Sequence, residues 1–318
     1  MKSDVINHNS VIRSNKASLF RVIPISIFLV FIIYSDLNMD HKKIIGEFKK
    51  QIDKAKKGSV CQKEIDQYFD LIKQSIQDDI KEGFKDTIAR NLTLGIGIHA
   101  GEYPKYLILN DQKEGWKYIT RYLLWQQHIL EKLFAYKEVT PKSIGCIIGL
   151  SLLWNMDDLA RLSRAYFQLL FEEDWKKYKQ KETHHLLLAI LYDLIQTKEI
   201  NQELYTTLPV DHIYRRFLDQ WHSTDEKVIG DLLSEICDFH IYSSLDLKDR
   251  FSEILSLNFI PYEIRLIEKI RSEQGLGNVK INHPLLETQL ADIPETANEW
   301  DLSHDEIYQF LKRREGKA

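Results

Sequence analysis

The chain has 318 residues, 44% of them hydrophobic and 28% charged, with a formal net charge of −4, values ordinary for a soluble globular protein with a real core. The first 38 residues carry +2 (Lys2, Arg13, Lys16 and Arg21 against Asp4 and Asp36), so the remainder carries −6. That balance argues against a nucleic-acid binder, whose affinity rests on Lys and Arg neutralising phosphates.

Helix is the expected element throughout. With 13 Gly and 7 Pro, breakers are about half as frequent as the usual share of about 12%. Near the N-terminus, Val22 to Tyr34 is apolar apart from Pro24 and Ser26 and follows Arg13, Lys16 and Arg21. Three readings stay open for it. As an anchor it would keep its N-terminus in the cytoplasm, although residues 19–34 fall short of the ~20 that a spanning helix needs. As a signal peptide it lacks a small-x-small site. Alternatively the true start is Met39, where Met39-Asp-His-Lys-Lys leads into the first periodic helix. The expected organisation is therefore an N-terminal segment over 1–38, helices over 39–100 and a main helical domain over 111–318.

From Ser59 to Ile88, the residues Ile65, Phe69, Ile72, Ile76, Ile80, Phe84 and Ile88 recur at steps of three and four, the stripe of a 3.6-residue period. Ser59 and Gln62 suggest a capping box, and Gly83 is a weak point. Gly101 to Asp111 is the expected break, since it holds Pro104 and Asn110. Asp111 with Glu114 then predicts a helix bearing Trp116, Ile119, Leu123, Leu130 and Phe134.

Pro141 suits a first helical position, and Ile144 to Trp154 is apolar nearly all round, as in a central buried helix. Asp157 and Asp158 open the next helix at the positive end of its dipole. Leu186 to Ile195 is a second apolar helix. Further starts are expected at Ser223-Thr-Asp-Glu226, at Pro261 (ending at Gly275) and at Ser303-His-Asp-Glu306. No fixed repeat period is present. The fold class that follows is all-α, an irregular multi-helix array in two or more layers.

Cys61, Cys146 and Cys237 are an odd number, far apart and outside any CxxC pattern, so neither a disulfide framework nor a zinc site follows. Gly95-Ile-Gly97-Ile-His-Ala100 matches a dinucleotide fingerprint but lacks the preceding strand that the motif requires. His184-His185 and the Glu235, Asp238, His240 group resemble metal ligands. Adjacent helical histidines point about 100° apart, and i, i+3, i+5 spacing puts at most two side chains on one face. No metal and no cofactor are expected. Arg121 with His128, and Arg216 with His222, fit the Arg-x(4–6)-His spacing of helical ribonucleases of the HEPN class, which act on RNA phosphodiesters. Tyr122 and Phe217 stand where that class commonly carries a polar residue.

Glu172-Glu173-Asp174 followed by Trp175, with Asp157-Asp158 at the start of the same helix, offers acidic charge beside an aromatic. Complementary charge of this kind speeds association with a basic partner and excludes wrong ones.

Trp116-Lys-Tyr118 before an aromatic-rich helix, the apolar run Ile144-Gly-Cys-Ile-Ile-Gly-Leu-Ser-Leu-Leu-Trp154, Asn155-Met-Asp-Asp158, and Phe259-Ile-Pro-Tyr-Glu263 followed by Arg271 and Gly275 resemble the all-helical immunity proteins of bacterial polymorphic-toxin systems. These include the family that neutralises DNase effectors of the PoNe type. The resemblance spans roughly residues 61–294 and implies a cytoplasmic protein that binds a cognate toxin and occludes it without catalysis. Asp157, Asp158, Glu172, Glu173, Asp174 and Trp175 are the candidate contact residues. Two alternatives stay open: a nuclease using one of the Arg/His pairs, and a helical adaptor held at the inner membrane through Val22 to Tyr34.

Overall fold

A computed structural model describes residues 41–58, 62–83, 96–133, 141–174, 182–245, 254, 257–305 and 308–309. The segment Val22 to Tyr34, Trp175, and the expected stripe positions Phe84, Ile88 and Phe134 lie outside them. Contacts divide the chain after Lys43, and residues 44–318 form one unit.

Among the described residues there are eleven α-helices and no strand. They are α1 (His41–Lys56), α2 (Gln62–Glu82), α3 (Ile96–Leu109), α4 (Gly115–Leu133), α5 (Pro141–Leu153), α6 (Asp157–Glu173), α7 (Thr183–Thr197), α8 (Gln202–Thr207), α9 (Ile213–Asp219), α10 (Glu226–Ser244) and α11 (Tyr262–Glu273). Short 3-10 turns follow at Pro284–Glu287, Gln289–Ala291 and Leu302–His304. The packing is an irregular helical array, as the alternation of amphipathic and apolar segments predicts. No described helix is long and apolar enough to cross a membrane.

The array is organised around α5. This helix touches α4, α6, α7 and α11, and Ile144, Ile147, Ile148 and Leu150 are fully buried, each contributing about 1.5–3 kcal/mol by leaving water. Small residues make the close packing possible. A Cβ on Gly145 would fall 2.5 Å from His185 Cδ2, and one on Gly149 would fall 2.5 Å from Leu188 Cδ1 and 2.7 Å from Tyr262 Cδ2. Beyond this centre α3 packs on α4, α10 on α9 and α11, and α8 on α7. Phe48 of α1 meets Phe259 edge-on at 5.3 Å.

Several boundaries differ from expectation for local reasons. The break over Gly101–Asp111 is narrower, because α3 continues through Pro104 to Leu109. The turn comes at Asp111, which has φ 60°. Asp111 therefore does not cap α4, which starts at Gly115. There a Cβ would meet the Pro104 carbonyl oxygen and Ile108 Cγ1, both at 2.6 Å. α2 stops at Glu82 because Gly83 takes a left-handed φ of 77°.

The cap of α10 is Asp225, which accepts from the Lys227 and Val228 amides, and not Ser223. Near the C-terminus, Asp301 caps a 3-10 turn and Asp305 accepts from the Tyr308 amide at 3.3 Å, the task expected of Ser303. α11 begins after Pro261 and is stopped by Gly275, as the sequence indicates.

Candidate functional site

Polar side chains inside an apolar array are the natural place to look for chemistry, since each one buried without partners is costly. The fold gathers such a group where α7, α10 and α11 converge. His184 is the second residue of α7, His240 lies on α10, and Glu263 is the second residue of α11. His184 is 3% exposed, and His240 and Glu263 are 0% exposed.

One potential ligand atom from each of the three lies within 4.8 Å of the other two. His240 Nδ1 is hydrogen-bonded to Glu263 Oε1, and His184 Nε2 stands 3.9 Å from Glu263 Oε2. At that distance no hydrogen bond is formed. His184 Nε2, His240 Nε2, Glu263 Oε2 and the Tyr262 hydroxyl are buried without a hydrogen-bond partner. Tyr262 forms one wall, its ring 5.5 Å from that of His184 and 6.1 Å from that of His240. Tyr214 of α9 lies 6.5 Å from His184.

The electrostatics follow from placement. Burial alone would raise the Glu263 pKa, but the imidazoles of His240 and His184 more than reverse this and bring it to about 2. Glu263 is thus an anion in the core. The Tyr262 phenol is pushed well above its ordinary value, mainly by burial. The Cys146 thiol rises to about 12 for the same reason, only partly offset by a hydrogen bond with Tyr122, so it is no nucleophile. Beside the cluster, His185 Nδ1 lies 3.5 Å from Glu182 Oε2, with both residues buried. The arrangement is a closed set of nitrogen and oxygen donors, able to hold a proton or a cation and to tie three helices together.

The two metal-like clusters of the sequence are each taken apart, and one residue of each is reused here. His184 enters the site while its neighbour His185 turns to Glu182. From the second cluster only His240 enters. Glu235 forms a bidentate pair with Arg216 at 2.8 and 2.9 Å, and Asp238 lies 3.1 Å from His283 Nε2. Sequence reasoning missed Glu263, whose signal was a lone carboxylate between Tyr262 and Ile264 in an otherwise apolar helix start.

The arginines of the two Arg/His pairs are committed elsewhere. Arg121 Nε donates to Asp305 Oδ2 at 2.6 Å and its guanidinium lies 5.2 Å from the Trp300 ring. His128 shares that face and packs on Trp125 and Tyr308. Arg216 is held by Glu235, and His222 lies in the turn after α9, exposed. Another polar hollow, around Arg164 and Asn201, is self-satisfied: both residues bond Asp193, Arg164 through two nitrogens at 2.9 and 2.8 Å.

The acidic candidates fall at the two ends of α6. Asp157 and Asp158 are exposed at its start, and Glu172, Glu173 and Asp174 at its end, about 20 Å apart at 1.5 Å per residue. Asp158 pairs with Arg161 at 3.1 Å, and Glu172 accepts from Gln168 at 2.9 Å. Leu159, Tyr166, Phe167 and Phe171 form the buried side of the helix. Its outer stripe runs through Asp158, Arg161, Ala165, Leu169 and Glu172 or Glu173. Leu169, at 41%, is one of three large hydrophobic residues exposed among those described.

Comparison of the chain with protein-family models, with curated proteins and with solved structures gave no match.

Proposed function

We propose that this protein acts by binding and not by catalysis, and that it is an immunity protein whose outer α6 face engages a basic surface of a cognate toxin and occludes it. The observation that carries this reading is the composition of that face. An exposed Leu169 and Ala165 lie between Asp157 and Asp158, the latter paired with Arg161, and the acidic end Glu172 to Asp174, an apolar centre with a charged rim of the kind that protein partners use. The carboxylates speed encounter with a basic partner, and the apolar centre slows dissociation. The competing nuclease reading is less well supported, because Arg121 and Arg216 are each neutralised by a carboxylate. Association with a membrane through Val22 to Tyr34 belongs to residues outside those described.

The test is co-expression of the chain with the products of neighbouring open reading frames, with host survival as readout. The expected result is rescue from one toxic product and a co-purifying 1:1 complex. A triple charge reversal, Glu172→Lys, Glu173→Lys and Asp174→Lys, should slow association about tenfold at low salt while leaving stability within about 0.5 kcal/mol of wild type. Rescue that is unaffected by this reversal and by Leu169→Asp would remove α6 as the contact face. Absence of any rescued toxicity would sink the immunity reading.

A further inference from the structure

We infer that His184, His240 and Glu263 form a binding site for a divalent transition-metal ion, zinc by donor type, that fastens α7, α10 and α11 together. The inference is independent of the toxin-binding reading. Three observations converge on it. The donor set is two imidazoles and one carboxylate, a combination suited to Zn2+ and its first-row neighbours, whereas Mg2+ and Ca2+ prefer oxygen alone. One potential donor atom of each residue lies within 4.8 Å of the other two, and tetrahedral ligands at about 2.0–2.1 Å from zinc stand about 3.4 Å apart. The His184 Nε2–Glu263 Oε2 separation of 3.9 Å is about 0.5 Å from that spacing. Finally, His184 Nε2, His240 Nε2 and Glu263 Oε2 are buried and without hydrogen-bond partners, although buried polar atoms are nearly always satisfied.

The surroundings enclose the ion. Tyr262, Tyr214 and the α5 backbone at Gly145 close around the donors. Two neutral imidazoles and one carboxylate leave the bound ion with a net single positive charge, and three protein ligands leave one coordination position for water. Because the ligands come from three helices far apart in sequence, the ion binds the folded state and not the unfolded chain, so binding and stability are linked.

The experiment uses the full chain, stripped of metal by dialysis against a chelator and verified as helical by circular dichroism. Zn2+ is added to the folded protein and, separately, during refolding from urea, so that slow entry into a closed core cannot hide binding. Mg2+ is the control. The expected result is about one zinc per chain by elemental analysis and a higher unfolding temperature with Zn2+ but not with Mg2+. Co2+ in place of zinc should give the visible absorption of a tetrahedral nitrogen–oxygen site. Glu263→Gln and His240→Gln should each weaken zinc binding at least tenfold, whereas His222→Ala and His304→Ala, which remove exposed imidazoles, should not. The inference is overturned if the folded wild-type chain takes up no zinc by either route. It is equally overturned if a folded Glu263→Gln or His240→Gln variant retains wild-type stoichiometry and affinity.

Discussion

His212 stands at the entry to α9 and serves there as a helix cap. Its Nδ1 accepts a hydrogen bond from the Tyr214 amide at 3.2 Å, and its ring packs on Tyr214 and Phe239 at 5.0 and 4.9 Å. The cap needs the neutral ring, since a protonated Nδ1 cannot accept. Burial lowers the His212 pKa from 6.5 to about 4. Because the folded value lies below the unfolded one, the unfolded chain takes up the proton first as the pH falls. The stability contributed by His212 is therefore complete above about pH 6.5 and is lost as the pH falls toward 4, a loss of about 2–3 kcal/mol. His212→Asn keeps a side-chain oxygen for the cap but cannot titrate. Urea denaturation of the variant should show about 1 kcal/mol less stability near neutral pH, from the lost ring contacts. Its decline between pH 6.5 and 4 should be about 2 kcal/mol shallower than that of wild type. An unchanged acid slope would assign that decline to other groups.

At the level of the helix, a glycine's value depends on its neighbours, and α1 and α5 predict opposite signs for the same substitution. A Cβ added at Gly46 of α1 would have nothing within 4 Å, so Gly46→Ala should stabilise by about 0.5–1 kcal/mol by restricting the unfolded chain. Gly145 of α5 is pressed against α7, where a Cβ would stand 2.5 Å from His185 Cδ2 and 2.9 Å from His184 Nδ1. Gly145→Ala should therefore destabilise by about 1–3 kcal/mol despite the better helix propensity. Urea midpoints of the two variants moving in the same direction would contradict the α5–α7 contact. Such contacts leave no trace in periodicity, which explains what is legible. The long helices announce themselves through apolar spacing, and α5 and α7 through runs too apolar for a surface. Their starts are less legible, because Ser223 and Asp225, or Ser303 and Asp305, offer competing caps within two residues, and tertiary position selects between them. Helices α8 and α9, of six and seven residues, are too short to show a period at all.

Over the whole molecule, the candidate chemistry depends on pairings between residues far apart in the chain, and there the sequence offers residue types without their partners. His184 and His240 stand out as ligand types, but their common partner Glu263 cannot be inferred from spacing because it arrives on a third helix. Arg121 stands out for the same reason and acquires a different role once Asp305, 184 positions later, folds back against α4. Asp305 has a fully buried side chain, accepts from Arg121 Nε at 2.6 Å and lies 3.4 Å from Trp125 Nε1. It also receives the Tyr308 amide, so one carboxylate joins the C-terminal stretch to α4 through several donors. Removing it takes the carboxylate from a guanidinium whose side chain is only 12% exposed. Asp305→Ala should cost about 3 kcal/mol, more than a surface ion pair could explain. Arg121→Met alone should cost less, about 2 kcal/mol, because Trp125 Nε1 and the Tyr308 amide still donate to the carboxylate. The double variant Arg121→Met with Asp305→Leu should lose clearly less than the sum of the single changes, a coupling of about 2 kcal/mol in a denaturation cycle. If the two losses simply add, Arg121 is not held by Asp305 and its guanidinium returns as a group available for RNA chemistry with His128. A coupled pair instead makes Arg121 the anchor by which Asp305 is held against α4.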